Sequence, residues 1–124
     1  MARFVKGDVV VLPFPFSDLT QTKRRPALVV AEAGGDELLL CQITSQDVRD
    51  RRAVPLKSED FQSGSLNKAS NVRPNRIFTA DRDIILYGAG HINPEKTANV
   101  VEELVDFAER NKLDTTAHGQ RIHR

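Results

Sequence analysis

The sequence predicts a mainly β domain, a small barrel or rolled sheet followed by one packed C-terminal helix. Three observations carry that prediction. Short runs rich in Val, Ile and Leu recur between Gly, Pro, Asn and Asp turn signals. One such turn, Gly34-Gly35-Asp36, joins two of these runs as a hairpin. A sustained helical apolar period occurs only after Asn93-Pro94.

Taken in order, Val9-Val10-Val11-Leu12 is apolar on both alternating faces and reads as a buried strand. Pro13-Phe14-Pro15-Phe16 should stop it, because neither proline can donate to a ladder. A polar loop follows from Ser17 to Thr22, and Ala27-Leu28-Val29-Val30-Ala31 is the second strand. After the hairpin turn, Leu38 to Thr44 is the returning strand. Ser45 to Arg52 is a charged, mobile connection, and Val54-Pro55-Leu56 is long enough only for an edge strand. Ser58-Glu59-Asp60-Phe61 opens one helical turn that Gly64 closes. Leu66 to Val72 and Ile77-Phe78-Thr79 read as two short strands separated by Arg73-Pro74-Asn75. Asp81-Arg82-Asp83 is a turn before Ile84-Ile85-Leu86-Tyr87, a run that Gly88 and Gly90 break. Asn93-Pro94 starts the helix, with a side-chain cap and a proline whose missing N–H costs nothing there. Val101, Leu104, Val105 and Ala108 form its apolar stripe, widened by Val100 and Phe107, and it should end near Asn111. One domain over residues 1–112 and a disordered polar tail over 113–124 follow from this reading.

Composition bounds the function. With 124 residues, 40% hydrophobic and 28% charged, the chain has an ordinary globular balance, which excludes intrinsic disorder. No apolar run approaches the ~20 residues of a membrane span, so no membrane partner is expected. The N-terminus meets Gly7-Asp8 too soon to be a signal peptide, and a cytoplasmic location is the expectation. A single cysteine, Cys41, makes neither an internal disulfide nor a zinc cluster. The net charge is only +1, but its distribution is uneven. Lys23-Arg24-Arg25, the group Arg49, Arg51 and Arg52, and the group Lys68, Arg73 and Arg76 are basic, whereas Glu95, Glu102, Glu103, Asp106 and Glu109 lie near the C-terminus. A dipolar molecule with one basic face is implied.

Glycine-rich phosphate loops, paired-histidine zinc signatures and nucleophile elbows are absent. His91 is expected to be exposed or satisfied in a turn, and Cys41 to be a small buried hydrophobe alternating with Leu39 and Ile43. Asp81 and Asp83 suit a charged turn better than a cation site, so neither metal nor cofactor is expected. Three features point elsewhere. Phe14 and Phe16 bracket a proline beside basic residues, where an aromatic either enters the core or stacks on a base. Pro26 fixes the backbone after Lys23-Arg24-Arg25 and aims Arg25. Thr44-Ser45-Gln46 ends the partner strand of the same hairpin, so Arg25 and Thr44 can meet at its open end. A guanidinium with a neighbouring hydroxyl is a phosphate-binding geometry.

The stretch Lys6-Gly7-Asp8-Val9-Val10-Val11-Leu12-Pro13-Phe14-Pro15-Phe16-Ser17-Asp18-Leu19, then Lys23-Arg24-Arg25-Pro26-Ala27-Leu28-Val29-Val30, then Gln42-Ile43-Thr44-Ser45-Gln46, closely resembles the PemK/MazF toxin family. Ala69-Ser70-Asn71-Val72-Arg73, Ile77-Phe78-Thr79 and Gly90 match it in the same order, so the resemblance spans roughly residues 4–107. It implies an SH3-like barrel with a C-terminal helix, usually a homodimer. It also implies a metal-independent endoribonuclease toxin that cuts single-stranded mRNA at short sequences and is neutralised by a cognate antitoxin protein. By that resemblance Arg25 and Thr44 are the catalytic pair, and Phe16, Lys23, Arg24, Ser45, Gln46, Ser70 and Arg73 contact RNA. Some relatives carry a carboxylate where Ser70 stands, which removes one candidate proton acceptor here. The alternative is a non-catalytic toxin of the same fold that binds a protein such as gyrase, or a degenerate RNA-binding relative.

Overall fold

The computed structural model describes residues 3–15, 22–45 and 51–117. Seven strands, β1 (Asp8–Pro15), β2 (Thr22–Gly34), β3 (Glu37–Thr44), β4 (Val54–Leu56), β5 (Phe61–Gly64), β6 (Ser70–Asp81) and β7 (Tyr87–Ile92), precede one helix, α1 (Pro94–Ala117). They form one curled antiparallel sheet in the order β4-β6-β3-β2-β1-β7-β5. The architecture is the expected mainly β fold with a C-terminal helix. Both faces of the central strands are covered. Val9, Leu28, Cys41, Ile43, Val72 and Val100 pack on one side, and Val10, Leu12, Ala27, Val29, Leu38 and Leu40 on the other. Each such fully buried Leu or Val contributes about 1.5–3 kcal/mol of transfer free energy.

The hairpin forms where the turn chemistry requires it. Gly34 and Gly35 both have positive φ, 108° and 56°, a backbone that side chains rarely adopt. β4 is the short edge strand expected of Val54-Pro55-Leu56.

Several boundaries differ from expectation, each for a local physical reason. β1 does not stop at Pro13 but runs through Pro15, paired to β2 as Pro13↔Arg24 and Pro15↔Thr22. The Val11 carbonyl accepts from Leu86 N–H on the β7 side, and Pro13 and Pro15 repeat that side every second residue. Pairing with β7 ends at Val11, so the missing proline donors cost no ladder bond. The helical turn after β4 is confined to Ser58–Asp60, and Phe61–Gly64 is strand β5 rather than its continuation. The two short strands expected around Arg73-Pro74-Asn75 are one strand, β6; Leu66 lies outside it. Its register against β3 jumps from Gln42↔Arg73 to Cys41↔Ile77, so residues 74–76 bulge out and the proline is absorbed. Nor does Ile84-Ile85-Leu86 form a strand. A 3-10 turn covers Arg82–Ile84, and β7 passes through both Gly88 and Gly90. At Gly90 a Cβ would lie 2.5 Å from the Ser63 carbonyl oxygen, so the glycine lets β5 approach rather than breaking the strand.

The Asn93 side chain caps α1 by accepting from Lys96 N–H at 2.7 Å. The helix continues past Asn111 to Ala117, because no Gly or Pro interrupts it after Pro94. Its buried stripe is also rotated from expectation. Thr97, Val100 and Leu104 face the sheet, whereas Val105 is 46% exposed and Ala108 is exposed. Among the described residues no helix is long and apolar enough to cross a membrane.

Candidate active site

Alternation along the strands decides which side chains share a face. On β3, Leu38 and Leu40 belong to one apolar cluster and Cys41 and Ile43 to the other, so Gln42 and Thr44 continue the face of Leu40. On β2, Ala27 and Val29 pack with Leu38 and Leu40, which places Arg25 and Lys23 on that face too. The β2–β3 register pairs Ala27 with Gln42; carried two residues on, it sets Arg25 opposite Thr44. β6 adds Asn71 directly opposite Thr44 and Arg73 opposite Gln42. From β1, Phe14 stands opposite Lys23. Adjacent strands are ~4.8 Å apart, so Arg25, Thr44 and Asn71 line up across roughly 10 Å of backbone.

This face is strongly one-sided in charge. The segments that meet there, 9–15, 22–31, 38–45 and 70–80, contain no Asp or Glu, while Lys23, Arg25 and Arg73 point from it. Thr44, Asn71, Arg73 and Arg25 are all half-buried, and the Nε atoms of Arg25 and Arg73 are shielded from solvent. Packing therefore restricts both guanidinium stems, unlike those of solvated loop arginines. Carboxylates gather at the opposite end of the sheet, on Glu32, Asp36, Glu37, Asp81 and Asp83. Arg82 ties that end together, donating to Glu32 Oε1 at 2.9 Å and to the Phe4 carbonyl at 2.8 Å.

Not every expected site residue joins the face. Arg24 is exposed and alternates to the opposite side from Arg25; Ser45 is exposed and alternates away from Thr44. Ser70 is only 7% exposed, lies on the side of Val72, and donates through Oγ to the Lys68 carbonyl at 2.9 Å. It is a fixed wall residue, not an element of the Arg25 face. Phe16 and Gln46 lie outside the described residues. Phe14 is half-buried and meets the Phe78 ring edge-on at 4.9 Å, which gives it a core role beneath the cations. Gln42, Asn71 and Asn75 went without a role in the sequence reading. The first two reach the face only through the β3–β6 pairing, and Asn75 Oδ1 is shielded without a hydrogen bond in the bulge beside Arg73.

Other candidates resolve as structure. Cys41 is fully buried, and burial pushes its thiol up to about 12. His91 is not simply exposed. It is half-buried on β7, its Nδ1 2.7 Å from Asp8 Oδ1. Asp81 caps a turn by accepting from Asp83 N–H at 2.9 Å. Arg52 leaves the expected basic surface for α1, 2.9 Å from Asp106 and 3.4 Å from Glu103, with its guanidinium 5.5 Å over the Phe107 ring. Among the described residues, no three His, Cys, Asp or Glu side chains converge as a metal site.

A family model of PemK-like, MazF-like toxins of type II toxin–antitoxin systems matches residues 5–107. No curated protein matches the sequence significantly. Among solved structures, a MazF from Deinococcus radiodurans is 22% identical with a TM-score of 0.70, covering 88% of this chain and 99% of its own. An endoribonuclease from a mycobacterial species, solved with its cognate antitoxin, is 14% identical with a TM-score of 0.67, covering 84% and 93%. The Mycobacterium tuberculosis toxin MazF-mt6 is 15% identical with a TM-score of 0.59, covering 78% and 93%. At these identities the structures show a shared fold.

Proposed function

The chain belongs to the PemK-like, MazF-like toxin family of type II toxin–antitoxin systems, and from that membership we propose that it is a metal-independent endoribonuclease cutting single-stranded RNA at Arg25 and Thr44. One feature carries the reading: the β2–β3 register, extended two residues beyond the Ala27↔Gln42 pair, sets Arg25 opposite Thr44 on a sheet face where Lys23 and Arg73 add charge and, among the described residues, no carboxylate intrudes. Phosphate contacts of this kind position a nucleic acid, and unstacked single strands expose the reactive ribose.

In the proposed reaction a ribose 2′-oxygen attacks the adjacent phosphorus and the bond to the 5′-oxygen breaks. The products are a 2′,3′-cyclic phosphate and a 5′-hydroxyl. Arg25 grips two phosphoryl oxygens through its planar fork and neutralises the charge that grows on the pentacoordinate phosphorus. Thr44 donates its hydroxyl to a non-bridging oxygen and fixes the phosphate. Arg25 also supplies the proton to the departing 5′-oxygen and regains one from water. It is not the base, since a protonated guanidinium carries donors only and has no lone pair with which to accept a proton. Among the described residues of this face no carboxylate or histidine is placed to take the 2′ proton, so the roles this face supports are phosphate binding, charge neutralisation and protonation of the leaving oxygen. In the cell the toxin works in the cytoplasm as a pair of identical chains, and a cognate antitoxin with an acidic segment covers the basic face.

The test incubates purified protein and its Arg25→Ala variant with a pool of single-stranded RNA in EDTA and maps the cut ends by sequencing. Wild type should cut at a short recurrent sequence and the variant should not. Uncut RNA with growth arrest and trapped gyrase–DNA complexes would replace the nuclease reading by that of a protein-binding toxin.

A further inference from the structure

A cavity lies around the rim of the sheet from Arg25 and Thr44. It measures about 250 Å³ and is lined by Leu56 at the end of β4, Phe61 at the start of β5, and Leu66, Asn67 and Lys68 on the return to β6, with Lys57 on its edge. Its floor is apolar: Leu56 is 2% exposed, and Phe61 and Leu66 pack on the helix-side core. Its rim is cationic, and neither Lys57 nor Lys68 makes an ion pair among the described residues. The nearby Asp60 carboxylate is engaged, accepting from Lys57 N–H at 2.8 Å and facing Lys96 Nζ at 3.7 Å. Ser70 stiffens the far wall through its bond to the Lys68 carbonyl.

Two properties narrow the occupant. The volume falls below the ~300 Å³ at which drug-sized sites begin and cannot admit a helix about 10 Å across. A single planar ring fits it. The second property is continuity. Leu56 pairs with Ser70 and Pro55 with Asn71, and Asn71 stands opposite Thr44. Lys68 is three residues from Asn71, at most about 11 Å of chain. A strand whose phosphate rests on Arg25 and Thr44 therefore reaches this cavity by crossing the short edge strand.

We propose that the cavity between Leu56, Phe61 and Leu66 is a nucleobase subsite for single-stranded RNA, with Lys57 and Lys68 holding the phosphates that flank the bound base. It deepens the nuclease reading and rests on it for the path of the strand. The Phe61 ring offers a stacking surface, a sequence-tolerant contact with any base, and the Asn67 amide can read a base edge.

The test uses single-stranded oligoribonucleotides carrying the cleaved sequence, a 2′-deoxy sugar at the cut position, and 2-aminopurine at each other position in turn. On binding, one position away from the cut should lose fluorescence, and Phe61→Leu should restore it. Lys57→Gln with Lys68→Gln should flatten the dependence of log K on log salt by about 1.4, the share of two single-strand phosphate contacts. Phe61 also packs on Gly90, so the lysine pair keeps the proposal decidable if Phe61→Leu fails to fold. No quenched position and an unchanged salt slope, with cleavage still abolished by Arg25→Ala, would overturn the subsite and leave the nuclease standing. Quenching in a wild-type protein that cuts nothing would do the reverse. Lys68 amide shifts on adding a glutamate-rich peptide, with none on adding RNA, would assign the cavity to a protein ligand and overturn the proposal.

Discussion

Gly88 and Gly90 sit two residues apart on β7, and the same substitution should have opposite consequences at them. At Gly88 an added Cβ meets only Phe4 Cε1 at 3.5 Å, an ordinary contact. Gly88→Ala therefore keeps the benefit of a stiffer unfolded chain, about 0.5 kcal/mol, or is neutral. At Gly90 the Cβ would fall 2.5 Å from the Ser63 carbonyl oxygen and 2.9 Å from Phe61 Cδ2. The first of these is backbone, held in the β5–β7 ladder by the pairs Ser63↔His91 and Gly64↔Gly90. It cannot rotate away; β5 must shift as a unit. Overpacking of this kind costs roughly 1–3 kcal/mol, and the disturbed edge pairing puts Gly90→Ala near the upper part of that range. The two variants should thus differ by about 2–3 kcal/mol, or roughly 8–12 °C in melting temperature for a domain of this size. Thermal unfolding by circular dichroism at matched concentration measures it, and hydrogen exchange should localise the loss to Phe61–Gly64. Equal melting temperatures would refute the claim that Gly90 exists to admit β5.

Three further outcomes are expected. Because burial raises the Cys41 thiol from its ordinary 9.0 to about 12, an alkylating reagent at pH 8 should modify it only on unfolding. The unfolded chain ionises first, so the contribution is whole below pH 9 and is lost as pH rises from 9 toward 12, by up to about 1.4 kcal/mol per pH unit; a Cys41→Ala variant should lack that slope in alkaline melts. Hydrogen bonds from Arg52 and then Arg110 hold the Asp106 carboxyl below its usual range. Its stabilising effect is therefore present above 3.8 and fades as pH falls through the lower folded value; Arg52→Ala should raise the Asp106 midpoint in an NMR titration. Finally, Lys23→Gln should reduce the salt dependence of RNA binding by about 0.7 in the log–log slope, whereas Glu102→Gln on α1 should leave it unchanged, as read by fluorescence anisotropy across a salt series.

Much of this protein was legible in its residues alone, wherever a property depends on chain neighbours. Asn93-Pro94 specified the helix start, Gly34-Gly35 the hairpin, and the alternation of Cys41 with Leu39 and Ile43 its burial, because capping, positive φ and strand periodicity are local. The order of motifs from Lys6 to Gly90 carried the family. Tertiary structure decided the rest. Pro13 and Pro15 could remain in a strand only because the pairing of β1 with β7 ends at Val11, and residues 74–76 could be a bulge only because β3 pairs on both sides of them. Asn71 reaches Thr44, and Ser70 turns away from it, through a pairing between strands far apart in sequence. Arg52 belonged to a basic run by sequence and to the acids of α1 in space. Local preference sets what each segment can become; which face and which partner it receives depends on contacts whose loop entropy is met only when the whole sheet closes.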